Sequence, residues 1–104
     1  MNKDLLFKYL CMALPYGVMI EGLEYPEVMT IKHLAIISAM SAEPYKPYLR
    51  PMSSMTDKER AYYFAINEEI IISINWLLEN HFDFMGLIPK GLAIEVTKDD
   101  NPYE

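Results

Sequence analysis

The chain has 104 residues and a formal net charge of −6, and 52% of its residues are hydrophobic. This length predicts a single domain spanning residues 1–104, because a chain of this size buries roughly two thirds of its unfolded surface in one core. Nucleic-acid binding usually requires a basic stripe that contacts phosphates, whereas the nine basic residues here are scattered. The composition therefore argues against nucleic acid and anionic membrane surfaces as partners.

Cysteine usage and hydropathy predict the compartment. Cys11 is the one cysteine, so an intrachain disulfide is excluded, as is typical of proteins in a reducing cytoplasm. The N-terminus lacks a secretory apolar region, and no apolar run approaches the ~18 residues of a membrane-spanning helix. We therefore expect a cytoplasmic protein. Cys11 lies among apolar residues, and we interpret it as a core or half-buried residue rather than a reactive thiol.

The first half of the chain predicts a helix followed by a hairpin. Residues 4–14 place apolar side chains at helical spacing, and Pro15 ends this pattern. Residues 16–20 alternate as a strand does, and residues 22–27 have the composition of a turn. Residues 28–37 form a longer β-branched run that we interpret as a second strand. Two strands joined by a short connection favour an antiparallel hairpin.

A proline-rich segment separates the two halves of the chain. Three prolines in residues 44–51 exclude a regular helix there and predict an extended or looped backbone. Thr56 and Glu59 then have the spacing of a capping box, in which each side chain accepts a hydrogen bond from the other residue's amide. The sequence therefore predicts that a helix begins directly after Thr56.

The length of that helix is left open by its composition. Apolar side chains continue at helical spacing, but residues 70–74 are rich in β-branched side chains that also suit a buried strand. We interpret residues 57–82 as one long helix or two shorter ones. Residues 92–96 alternate and predict a short edge strand, and the polar tail from about residue 98 is expected to be frayed. The predicted fold class is α+β.

Three blocks of sequence carry a resemblance to a known family. They are LPYGV at residues 14–18, KPYLRPMSSMT at residues 46–56, and a block of the form WLxxxHFDxxGLIxKGLA at residues 76–93. Together they resemble a family of small uncharacterised proteins from gut anaerobes, their phages and mobile elements. The chain departs from the family pattern at three positions, Glu79, Met85 and Pro89. The resemblance implies a bacterial or phage setting and brings no activity with it.

The proline-rich segment is the one candidate interaction surface in the sequence. Tyr45, Tyr48 and Arg50 combine aromatic rings with a planar cation, which are the residue types enriched at interface hot spots. Neighbouring prolines would hold these side chains in place at little entropic cost. The alternative, which is the commoner arrangement, is that Tyr48 and Leu49 fill the core while Arg50 pairs with a carboxylate.

Catalytic and metal-binding motifs are missing from the sequence. His33 and His81 lack the spacing of metal-binding histidine motifs, so we expect structural roles for both and neither a metal nor a cofactor. Ser53 and Ser54 lie outside any nucleophile motif and suit the turn before the helix. We therefore find no catalytic residues.

These observations lead to one hypothesis and two alternatives. The leading hypothesis is a non-enzymatic accessory protein that acts by protein–protein contact, associated with a phage or mobile element. The first alternative is a small ligand-binding protein or enzyme with a cleft between the hairpin and the long helix, using His33, His81 or Asp83. The second is self-association through an apolar patch.

Overall fold

The computed structural model describes residues 2–22, 25–39 and 46–103. Within these ranges the chain forms four α-helices and two two-stranded sheets, which confirms the predicted α+β class. The helices are α1 (Asn2–Ala13), α2 (Ile31–Ala39), α3 (Asp57–Ile66) and α4 (Ile70–Glu79). The strands are β1 (Met19–Ile20), β2 (Glu27–Val28), β3 (Tyr48–Leu49) and β4 (Ile94–Glu95).

The two sheets are joined through the proline-rich segment. β1 pairs antiparallel with β2, which confirms the predicted hairpin. β3 pairs in parallel with β4, the strand that alternation predicted near the C-terminus. An isolated bridge between Ile20 and Pro47 then connects the hairpin to β3. The backbone of the proline-rich segment is therefore paired on both sides.

The predicted second strand is wrong beyond Val28, because residues 31–39 form helix α2. The amide of Thr30 donates to Nδ1 of His33 at 2.9 Å. A side chain three residues into a helix that accepts the N-cap amide is half of a capping box, with histidine in place of the usual glutamate. This local bond begins the helix despite the β-branched residues within it.

Helix α1 packs on the hairpin and on the C-terminal half of the chain. The main core is made of buried apolar side chains from α1, the hairpin region, β3, α4 and the segment that follows α4: Leu6, Tyr9, Leu10, Ala13, Val18, Ile20, Met29, Leu49, Leu78, Leu87, Leu92 and Ala93. The expectation for Cys11 is wrong, since this thiol is exposed. The buried face of α1 is already taken by residues at helical spacing, and the side chain after Leu10 points about 100° away from it.

Residues 57–79 form two helices with a break at the turn between them. The capping box at Thr56 and Glu59 is present, with bonds of 3.1 Å and 2.9 Å. α3 ends at Ile66 with Asn67 as its C-cap, and Glu69 adopts an extended backbone before α4 begins. The ring of Trp76 on α4 lies 5.3 Å from that of Tyr62 on α3. Aromatic packing therefore holds the two helices together as a hairpin.

Tyr103 anchors part of the tail, for which the sequence predicted fraying. Its hydroxyl donates to the carbonyl of Tyr48 at 2.7 Å and accepts from the amide of Met19 at 2.9 Å. Burial raises the pKa of the Tyr103 phenol above its usual range. One side chain thus connects the end of the chain to both β1 and β3, which composition alone does not reveal.

Candidate functional site

The structure buries one of the three predicted interaction residues, Tyr48. Tyr48 is 7% exposed and Leu49 is fully buried, which is the arrangement of the alternative interpretation. Arg50 is only partly exposed. Tyr45 lies outside the described residues. Tyr48 is therefore covered by the fold, whereas Arg50 keeps a partly exposed side chain.

The side chain of Arg50 is engaged through both of its terminal nitrogens. Its guanidinium donates to both carboxylate oxygens of Glu59, at 2.9 and 2.8 Å, and to the carbonyl of Ser54 at 3.3 Å. The same group lies 4.2 Å from the ring centre of Phe82. The hydrogen bond from Arg50 holds the pKa of Glu59 at about 2. A two-pronged pair of this kind is stronger than an exposed ion pair because its geometry is fixed.

The backbone of Arg50 makes a second connection. Its amide donates to the carbonyl of His81, and its carbonyl accepts from the amide of Asp83, both at 2.8 Å. The proline-rich segment is therefore bonded to the start of α3 through a side chain and to the end of α4 through the backbone. This junction of Arg50, Glu59 and Phe82 is a structural element of the fold.

His81 ends helix α4 by an unusual cap. The amide of Phe82 donates to the carbonyl of Leu77 at 2.9 Å, and that of His81 donates to the carbonyl of Leu78 at 3.1 Å. These two bonds define a Schellman motif, which normally has glycine where this chain has His81. The backbone φ of His81 is 62°, in the left-handed region. His81 therefore ends the helix through its backbone rather than through its imidazole.

His81 is one of the residues that line a cleft of about 540 Å³. Its ring stacks on Tyr103 with centroids 3.8 Å apart, and its buried Nδ1 has no hydrogen-bond partner. Burial, and then the charge of Arg50, lower the pKa of His81 to about 4. The imidazole is therefore neutral at pH 7. The cleft is lined by polar side chains from α3, the end of α4 and the tail, among them Thr56, Glu59, Asn80 and Lys98.

The three residues suspected for catalysis have separate local partners. Nε2 of His33 lies 2.6 Å from a carboxylate oxygen of Glu27, on β2. Both oxygens of Asp83 accept backbone amides, from Leu87 and Ile88 at 2.7 and 2.9 Å. Of the three, His81 lines the cleft, which lies between α3, α4 and the tail rather than beside the hairpin.

A run of exposed apolar residues lies where the sequence also suited a buried strand. Ile70, Ile71 and Ile72, here called the isoleucine turn, are 69%, 76% and 50% exposed. Ile70 shares the helical spacing i, i+4, i+7 with Ile74 and Leu77, and Leu77 is buried. The apolar stripe of α4 therefore runs out of the core onto the surface. Phe64 on α3 is a further exposed side chain of the same helical hairpin, at 80%.

Composition alone missed this surface. A run of isoleucines normally indicates a core, and only the break between α3 and α4 places the run at the far end of a hairpin. The acidic pair that precedes the run, Glu68 and Glu69, is the one signal that marked the break.

Comparison of the chain with protein-family models, with curated proteins and with solved structures found no match. Among residues 2–22, 25–39 and 46–103, no three His, Cys, Asp or Glu residues are grouped so that they could hold a metal ion. In the same part of the chain, none of the helices has the length and apolarity that crossing a bilayer requires. The function must be argued from the exposed surfaces themselves.

Proposed function

We propose that the chain is a non-enzymatic accessory protein that acts by binding another protein, with the isoleucine turn as part of the contact surface. The observation that carries this proposal is the exposure of three consecutive isoleucines, at 50% to 76%, at the start of α4. Burying one such side chain contributes about 1.5–3 kcal/mol. Grouped exposed apolar side chains therefore mark sites of association.

The rigidity of α4 supports the same proposal. The helix is fixed at its C-terminal end by the buried side chains of Leu77 and Leu78 and by the Schellman motif. Trp76 fixes it against α3. The isoleucine turn is thus held in one backbone conformation before any partner arrives, and this lowers the ordering cost of binding.

The proposed setting is the cytoplasm of a bacterium or of a phage-infected cell. The resemblance to proteins of gut anaerobes, their phages and mobile elements supports it. An exposed free thiol at Cys11 also suits a reducing compartment.

Affinity capture from the native host tests the contact surface. We would compare the tagged wild type with the double variant Ile70→Ser/Ile71→Ser and with Ile31→Ser as a matched control. Ile31 is 71% exposed and, like Ile70, is the first residue of a helix. A partner held by the wild type and by the control, and lost from the double variant, is the expected result. A partner that the double variant retains at full strength would remove the isoleucine turn from the proposal.

A second candidate function is the binding of a small polar ligand in the cleft. The buried Nδ1 of His81, which has no hydrogen-bond partner, favours it. The volume of about 540 Å³ is within the range of small-molecule sites, about 300–1,000 Å³. A thermal-shift screen of polar metabolites on wild type and His81→Asn tests this candidate. A ligand that stabilises both proteins equally would not bind through His81.

A further inference from the structure

The charges that border the isoleucine turn are negative. Glu68 and Glu69 directly precede Ile70, and both are exposed. A third exposed carboxylate, Glu79, stands at the other end of α4. The apolar turn is therefore preceded by acidic side chains on a chain whose net charge is −6.

Arg60, one of the two basic residues of α3, has its partners at the start of that helix. Nη1 of Arg60 lies 3.1 Å from Asp57, and its Nη2 donates to the carbonyl of Met55 at 3.2 Å. Asp57 begins α3 and Met55 precedes it, so both partners lie at the opposite end of that helix from the isoleucine turn. Arg60 is therefore engaged away from Glu68 and Glu69.

From this combination we infer that the partner presents an amphipathic helix, whose apolar face covers the isoleucine turn and whose flanking Lys or Arg side chains pair with Glu68 and Glu69. The inference rests on the proposed function and specifies the chemistry of the partner. The contact surface is itself a helix, and the ridges and grooves of one helix accept those of another. Complementary charge at the border of an apolar contact selects the partner and speeds encounter.

A second copy of the chain fits this surface less well. In a two-fold symmetric contact the same patch of both subunits meets. Glu68 and Glu69 adjoin Ile70 in the chain, so such a dimer would bring four carboxylates to one interface. Like charges placed together oppose association, whereas a basic helix would relieve the same repulsion.

Two synthetic peptides test the inference by fluorescence anisotropy. One has leucines at helical spacing with lysines on the polar face, and the other has the same leucines with glutamates. We expect the leucine–lysine peptide to bind the wild type and the leucine–glutamate peptide not to bind. Ile70→Ser/Ile71→Ser should weaken the lysine peptide about tenfold or more. Glu68→Gln/Glu69→Gln should weaken it by a smaller factor and reduce the salt dependence of binding.

Ile31→Ser is the control and should bind the lysine peptide as the wild type does. Equal binding to the isoleucine double variant would show attraction by net charge alone and would overturn the inference. A second result would also overturn the inference: sedimentation equilibrium that shows a dimer for the wild type and a monomer for the isoleucine double variant. Capture from the host separates the two levels: if the double variant loses the captured partner but neither peptide binds, only the helix inference fails. If the double variant still captures the partner, both the proposed contact surface and the helix inference fail.

Discussion

The proline-rich segment and the isoleucine turn have exchanged the roles that their compositions suggest. The segment has the tyrosines and arginine of an interface, yet Tyr48 is buried and Arg50 is bonded to Glu59. The turn has the isoleucines of a core, yet Ile70 and Ile71 are the more exposed residues. The difference shows that residue type alone does not decide burial. The partners within reach decide it.

The physical reason lies in what each region can pair with. The proline-rich segment has extended backbone that forms bridges to Ile20 and Phe82, so its side chains are drawn into the fold. The isoleucine turn lies in the first turn of α4, next to the connection between the two helices. Ser73, which directly follows it, is the first buried residue of α4. The isoleucine side chains thus extend past the residues that would cover them.

The largest effect is expected at the junction of Arg50. Arg50→Ala removes a two-pronged bond to Glu59, whose side chain is only 23% exposed, and the packing over Phe82. We expect the free energy of unfolding to fall by about 2–4 kcal/mol in urea denaturation. Arg60→Ala is the control, because Arg60 pairs with the fully exposed Asp57. If both variants lower the free energy of unfolding by the same small amount, the junction does not stabilise the fold.

Removing the hydroxyl of Tyr103 should lower the free energy of unfolding, whereas removing that of Tyr9 should not. Tyr103→Phe removes bonds to the Tyr48 carbonyl and the Met19 amide, and we expect a loss of about 1–2 kcal/mol. The Tyr9 hydroxyl is buried without a hydrogen-bond partner. Tyr9→Phe should therefore leave the free energy of unfolding unchanged or raise it by about 1 kcal/mol. Chemical denaturation of the two variants checks the signs, and a clear loss in Tyr9→Phe would indicate a bonded hydroxyl.

Stability should depend on pH through His81. Its pKa is about 4 in the folded chain against an ordinary value of 6.5, so the unfolded chain binds more protons between these values. The free energy of unfolding should then fall as the pH drops through this window, and stop falling on this account below about pH 4. His81→Asn, which tolerates the left-handed backbone, should flatten this part of the profile. An unchanged slope in the variant would contradict the buried neutral imidazole.

Local signals in the sequence predicted much of the fold. The capping box of Thr56 and Glu59 is a bond between near neighbours, and it formed as its spacing indicates. The strand at residues 94–95 follows from alternation. The helix α2 was missed because β-branched residues outweighed the shorter signal of Thr30 and His33, which share one hydrogen bond.

Features that depend on distant partners were not predictable. The anchor of Tyr103 on Tyr48 joins residues 55 positions apart, and no pattern near residue 103 marks it. The left-handed cap at His81 lacks the glycine by which such caps are recognised. The bonding of Arg50 to Glu59 was predictable as an alternative, because the carboxylate of a capping box is a ready partner, but the choice of partner required the structure.

The most direct test of the exchanged roles is the urea unfolding of Ile70→Ser/Ile71→Ser, for which we expect the smallest effect. Serine is well tolerated in the first turn of a helix, and both isoleucines are mostly exposed. The free energy of unfolding should therefore stay within about 0.5 kcal/mol of the wild type. A loss of 2 kcal/mol or more, roughly the lower end for a truncated core residue, would show that the isoleucine turn packs inside the fold and is not a contact surface.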